Sequence, residues 1–187
     1  MITLKDLKLK TLALIEELSE NAENFTEDPD MSAKINYVAN QIIYELARIK
    51  KIPKYVEIDV TEGDVVTFED ISAECQYEVF QVDLFSGVRN MQRAKGTVFK
   101  ILESGRAEID VSVYPERITE KTKDNFEIEL SDDALEIAPY GIAADLLKSD
   151  ASTDYGRIYA ERYENMKQML DPRYQMPSIY IEGGVSI

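Results

Sequence analysis

Apolar residues recur every three or four positions at Leu4, Leu7, Leu12, Leu14, Ile15 and Leu18, with Thr11 on the same face. This period predicts an amphipathic helix over 4–18, capped at Thr3 or nearby. The polar run SENAENFTEDPD, which contains Pro29, breaks the pattern. A second helix is expected over about 31–50, with Ile35, Val38, Ile42, Leu46 and Ile49 on one face. Arg48, Lys50 and Lys51 close it, where cations complement the negative end of the helix dipole. Pro53 marks its stop.

Beyond Pro53 the pattern becomes strict alternation. KYVEIDV, DVVTFED, YEVFQVDLF, GTVFKILES, RAEIDVSVY and FEIEL are rich in β-branched and aromatic residues. Gly63, Gly87, Gly96 and Gly105 separate them as turn signals. Residues 54–130 are therefore expected to form short antiparallel strands, packed as a small sandwich or open barrel.

The helical period returns at Ser131, with Leu135, Ala138, Ile142, Ala143, Leu146 and Leu147 on a broad face. Pro139 either kinks this helix or opens its main segment. Ala138, Gly141, Ala143 and Ala144 leave room for a second helix to approach closely. The turn SDASTD leads to another helical set, Ile158, Tyr159, Arg162, Tyr163, Met166, Met169 and Leu170, which completes an αα-hairpin. Two helices alone rarely bury enough apolar surface, so the two terminal pairs are expected to meet. The predicted class is α+β. Residues 1–53 and 131–171 form a helical bundle, 54–130 an inserted antiparallel β domain, and 172–187 an extended tail.

Composition narrows the chemistry. The 187 residues are 44% apolar and include six Phe and eleven Tyr, which argues for a folded chain. A formal net charge of −15 opposes binding to a phosphate backbone, which needs Lys and Arg to displace counterions. No apolar run reaches the roughly 18 residues of a spanning helix, and the charged N-terminus does not read as a signal peptide. No membrane is implied. The single cysteine, Cys75, forms no intrachain disulfide, which fits synthesis in a reducing compartment.

There is no histidine, so the commonest general base and zinc ligand are missing. Cys75, beside Glu74 and Glu78, reads as a small core residue. No phosphate-cradling glycine motif occurs. The run NAENFTEDPDMSAK lacks the central Gly of a calcium loop and reads as a solvated turn. Asp132 and Asp133 suit the start of a helix, and Glu127 and Glu129 a solvated strand face. No enzyme, cofactor or metal site is predicted.

Two segments remain as interaction signals. GVRNMQRAKG (87–96) sets Arg89, Arg93 and Lys95 around Met91, either as a solvated loop or as a finger that docks on an acidic partner. The tail carries Ile179, Tyr180 and Ile181, followed by Val185 and Ile187. It either returns to its own β domain or adds a strand to a neighbouring chain.

The block LEIAPYGIAADLLKSD…YGRIYAERYENMKQMLDPRY…PSIYIEGG resembles the closing helical hairpin of head–tail connector (neck adaptor) proteins of tailed bacteriophages. PYGIAADLL and YAERYENMKQ carry the likeness. AKINYVANQIIYELARI resembles that family's second helix, and YPERI before FEIEL resembles the return from the β insertion of insertion-bearing members. About a third of the chain is covered well, by packing motifs. The resemblance implies a virion neck protein, made in the bacterial cytoplasm, whose copies pack side by side into a ring, usually about twelve-fold. The portal would lie above and the next neck or tail protein below. DNA would pass through an acidic lumen without specific binding. The large β insertion departs from the smallest members. Rival expectations are a tail-completion or baseplate part, and an acidic inhibitor that mimics DNA; a carboxylate–metal enzyme ranks third.

Overall fold

The computed structural model describes residues 2–15, 29–93, 99–148 and 154–170. Lys95 and the tail 172–187, with Ile179, Tyr180 and Ile181, lie outside the described residues, as do most of SENAENFTEDPD and SDASTD. The class is α+β, with five helices and two three-stranded antiparallel sheets among the described residues.

Helix α1 spans Leu4–Leu14 and is closed by a capping box in which Thr3 and Asp6 satisfy each other's backbone N–H groups. Its C-cap is Ile15, and Leu18, to which the spacing extends the pattern, lies outside the described residues. Helix α2 spans Pro29–Ile49. Helices α4 (Asp132–Leu147) and α5 (Tyr155–Leu170) form the C-terminal pair. Pro139 lies inside α4 and is buried, so the helix does not open there. Its missing N–H leaves the Leu135 carbonyl without the usual helical donor.

The terminal pairs share one core. Leu4, Leu7, Ile35, Leu46, Leu135 and Ile142 are almost wholly buried in it. Helix α4 is central, and small residues let its neighbours close in. A Cβ on Gly141 would lie 3.0 Å from both the Ile42 Cδ1 and the Tyr163 ring. Tyr163 donates to Glu45 Oε2 at 3.0 Å, and Lys167 bonds Glu45 at 2.6 Å, which fastens α5 to α2. Burial, then the Glu45 carboxylate, pushes the Tyr163 hydroxyl well above its ordinary pKa, so it stays a donor.

In the β region, strands β1 (Ile52–Val60), β6 (Gly105–Val113) and β3 (Val79–Ser86) form a proximal sheet in that order. Strands β2 (Val65–Val66), β5 (Phe99–Ile101) and β4 (Met91–Arg93) form a distal one. The second sheet continues the first. The β1–β6 register runs on unchanged into β2–β5, and the β3–β4 side moves by an even step that preserves the faces. All three strands break at one level, around residues 61–64, 87–90 and 102–104. Across this crease Phe85 of β3 stacks on Phe99 of β5 with ring centroids 4.7 Å apart, and both sheets feed one hydrophobic cluster.

Two expected strands are corrected. DVVTFED supplies only β2 before the chain turns into helix α3 (Phe68–Cys75), whose capping box is Thr67 with Asp70 and whose Ile71 is fully buried. Its alternation was broken by a helix start. FEIEL makes a single bridge, Thr3 to Glu127. Its backbone serves the N-terminus instead: the Leu4 N–H donates to the Phe126 carbonyl at 2.8 Å, and the Ile128 N–H donates to the Ile2 carbonyl at 3.3 Å. Ile128 and Ile118 then join the helical core, the latter held by Asn40 through paired 2.8 Å bonds.

Tyr114, just past β6, joins the helices to the sheets. Its ring stacks on Tyr44 of α2 at 4.5 Å and lies 4.7 Å from Phe80 of β3, and its hydroxyl accepts from Arg48 Nε at 2.6 Å.

Candidate interaction surface

The segment 87–96 is partly strand rather than a free loop. Residues paired across an antiparallel ladder share a face, and β4 pairs Met91 with Ile101, Gln92 with Lys100 and Arg93 with Phe99. Met91 and Arg93 thus take the side of the buried Phe99 and Ile101, at the sheet's edge. The Arg93 guanidinium sits 5.9 Å from the Phe99 ring centroid, over the rim of the core. Arg89 lies in the crease and is exposed. The turn is anchored there by the Leu102 N–H donating to the Asn90 carbonyl at 2.9 Å and by Asn90 Nδ2 donating to Glu103 at 3.0 Å.

The register adds a cation that alternation alone left unremarked. Lys100 projects from the outward side of the distal sheet, in a row with Val65 and Gln92. The exposed distal surface thus combines Arg89, Arg93 and Lys100 with the apolar Val65, Met91 and Leu102. Carboxylates stand among these cations: Glu103 bonds Asn90, and the exposed Glu62 and Asp64 lie at the same level of the crease.

The outward face of the proximal sheet is acidic. One row across it is Tyr55, Asp110 and Leu84, and the next is Glu57, Glu108 and Ser86. Tyr55 and Leu84 are more than half exposed. Arg106 offsets one carboxylate by pairing with Glu57. At the sheet's end, Asp83 accepts from Lys51 Nζ at 2.7 Å and Gln81 Nε2 at 2.8 Å, and also from the Ser112 hydroxyl. Partial burial alone would raise its pKa; the hydrogen bonds from Lys51 and Ser112 outweigh that and hold the carboxyl below its ordinary range.

No protein-family model matches the chain, and no curated protein matches it.

Among the described residues, no group of three or more His, Cys, Asp or Glu side chains is placed to hold a metal ion, and no helix is long and apolar enough to cross a membrane. Cys75 is half-buried, with Sγ 3.5 Å from the Tyr77 carbonyl. A cleft of about 470 Å³ lies where the helices meet the sheets, lined chiefly by Ile49, Ile52, Pro53, Ile128 and Leu130. Lys50, on its rim, bonds Asp133 at 2.8 Å. That bond, followed by one from Ser131, lowers the Asp133 pKa.

These lowered carboxyls set a pH dependence. A group whose folded pKa is depressed contributes stability above its unfolded pKa and loses it as the pH falls through the folded value. Asp83 and Asp133 should therefore lose their contribution below about pH 4. In thermal melts across that range, Asp83→Asn and Asp133→Asn should each fall less steeply with acid than the parent. Parallel curves would show that neither pair bears on stability. Comparing variant with parent cancels the effect of the overall negative charge.

Proposed function

We propose that the protein is a head–tail connector of a tailed bacteriophage, forming a ring beneath the portal through which DNA passes and to which the next neck or tail protein docks. The observation that carries this reading is the split helical body. Helices α1 and α2 from one end of the sequence and α4 and α5 from the other bury a common core, and the β region between them has a second core of its own. The segments that resemble the connector hairpin, PYGIAADLL and YAERYENMKQ, lie on α4 and α5 and supply their mutual packing. Such a scaffold acts through its surfaces. On this reading 54–130 is an inserted antiparallel β domain built on one core shared by its two sheets, and 172–187 is held by the portal or by a neighbour. The negative surplus keeps passing DNA from sticking to the wall.

An acidic inhibitor mimicking DNA draws on the carboxylates of the proximal sheet. Tyr55 and Leu84 interrupt that array, which favours a protein contact over a row of phosphate stand-ins.

Antibody-gold labelling of purified particles tests the assignment. Label at the head–tail junction is the expected result. Label at the distal tail would move the part to a tail-completion or baseplate role. An absence of label on intact, unfilled and partly disassembled particles would remove the protein from the virion.

A further inference from the structure

We propose that the apolar cleft where the helices meet the sheets is a seat for this chain's own segment Ile179, Tyr180 and Ile181. The inference goes beyond the connector reading. On that reading the seat holds the segment until the portal or a neighbour takes it, but the contact rests on observations of its own.

The cleft, of about 470 Å³, is walled by Ile49 at the end of α2, Ile52 and Pro53 at the start of β1, and Ile128 and Leu130 ahead of α4. Charges stand at its rim, and each is already paired. Lys50 bonds Asp133 at 2.8 Å, Lys51 bonds Asp83 at 2.7 Å, and Glu129 bonds Lys54 at 2.6 Å. What the cleft offers an occupant is therefore apolar surface, which suits an apolar segment rather than a charged one.

The path of α5 brings its end to this cleft. A Cβ on Gly156 would lie 3.4 Å from the Leu147 Cβ, and one on Gly141 would lie 3.0 Å from the Tyr163 ring, so α5 runs antiparallel to α4. Leu170, the last residue of α5, then comes level with the first turn of α4, where Asp133 stands. The α2 side agrees. Tyr163 meets Ile42 at Gly141 and Lys167 bonds Glu45, so the next turn of α5 comes level with Ile49 of the cleft wall.

The occupant follows from what the chain carries beyond that point. Ile179 stands nine residues after Leu170, a reach of up to about 30 Å in extended backbone. The other segments outside the described residues, 16–28, 94–98 and 149–153, contain no run of three large apolar residues. Pro172 and Pro177 restrict the backbone around them, which lowers the entropy lost on seating an extended segment. In such a segment Ile179 and Ile181 share one side and Tyr180 takes the other. Two branched side chains then enter the cleft while the tyrosine covers its rim.

The test uses the full chain carrying Cys75→Ala, with Ser131→Cys at the cleft and Ser178→Cys beside the apolar segment. At low protein concentration a mild oxidant should close a disulfide within the chain. Adding Ile179→Ser, Tyr180→Ser and Ile181→Ser keeps the tether length and should slow closure about tenfold. A control pair, Glu136→Cys with Ser178→Cys, lies outside the cleft and should close slowly, at one rate with either segment. That comparison separates a lost seat from a misfolded variant. Equal rates at Ser131 with and without the three serines would overturn the seat, because the tether alone would then account for closure. Disulfides that join two copies in place of internal ones would also overturn it, by giving the segment to a neighbour. The outcome separates from that of the neck reading. Gold label at the neck without segment-dependent closure refutes the seat alone. Such closure without label at the neck supports the seat and removes the neck.

Discussion

Gly87→Ala is expected to destabilise the protein by about 2–5 kcal/mol, combining strain in the left-handed region with overpacking. Gly87 has φ +83, and a Cβ there would lie 2.3 Å from the Arg106 carbonyl oxygen and 3.2 Å from the Glu108 nitrogen. Those atoms belong to β6, the central strand, which is paired on both sides. It cannot retreat without loosening the ladder to β1 or to β3. Gly63 supplies the control. Its φ is +96, yet a Cβ there meets nothing within 4 Å. Gly63→Ala should carry only the conformational part, about 1 kcal/mol. Urea unfolding of the two variants separates steric from conformational effects. Equal shifts in the midpoint would mean that Gly87 does not approach β6 as described.

Tyr114→Ala should destabilise by a similar amount, about 3–5 kcal/mol, because truncating a buried aromatic removes its transfer energy and leaves a cavity. The side chain is 6% exposed, between Tyr44 and Phe80. Its hydroxyl faces an arginine on the exposed side of α2, where water can replace the lost bond, so Tyr114→Phe should cost only about 1 kcal/mol. The stack with Tyr44 predicts a coupling of about 0.5–1.5 kcal/mol in a double-mutant cycle. Additive losses in the cycle would dissolve the stack as an energetic link between helices and sheets.

Helices α1 and α2 were legible because each has one buried stripe at a constant period and an identifiable boundary: Thr3 at one start, Pro53 beyond one end. Gly141 was legible too, since a small residue on an apolar helix face has few uses besides close approach. Helix α3 was hidden. DVVTFED alternates well enough to pass for a strand, and its eight-residue successor is too short to show helical period. The readable sign was Thr67 followed three positions later by Asp70, the spacing of a capping box. FEIEL misled for another reason. Ile128 is apolar because it enters the helical core, and alternation cannot say which core a residue serves.

The interaction surface was half legible. Arg89, Met91 and Arg93 stand out as a basic patch in an acidic chain, but a run of residues does not reveal its pairing partners. Only the β4–β5 register brings Lys100 beside Gln92 and turns Arg93 inward over Phe99. The acidic face is likewise a product of register. Glu57, Glu108 and Leu84 are distant in sequence and become neighbours only when β1, β6 and β3 align.

The crease that crosses all three strands shifts the burden of continuity in the β region from backbone to side chains. Sheets resist bending through continuous ladders, and here that continuity thins to a few bonds, including Gly63 N–H to the Ile101 carbonyl and Ile101 N–H to that of Asp64, each 2.9 Å. Side chains make up for what the ladder loses: the Phe85–Phe99 stack spans the crease, and Tyr114 ties the same cluster to α2, so the two sheets and the helices are joined through one continuous packing.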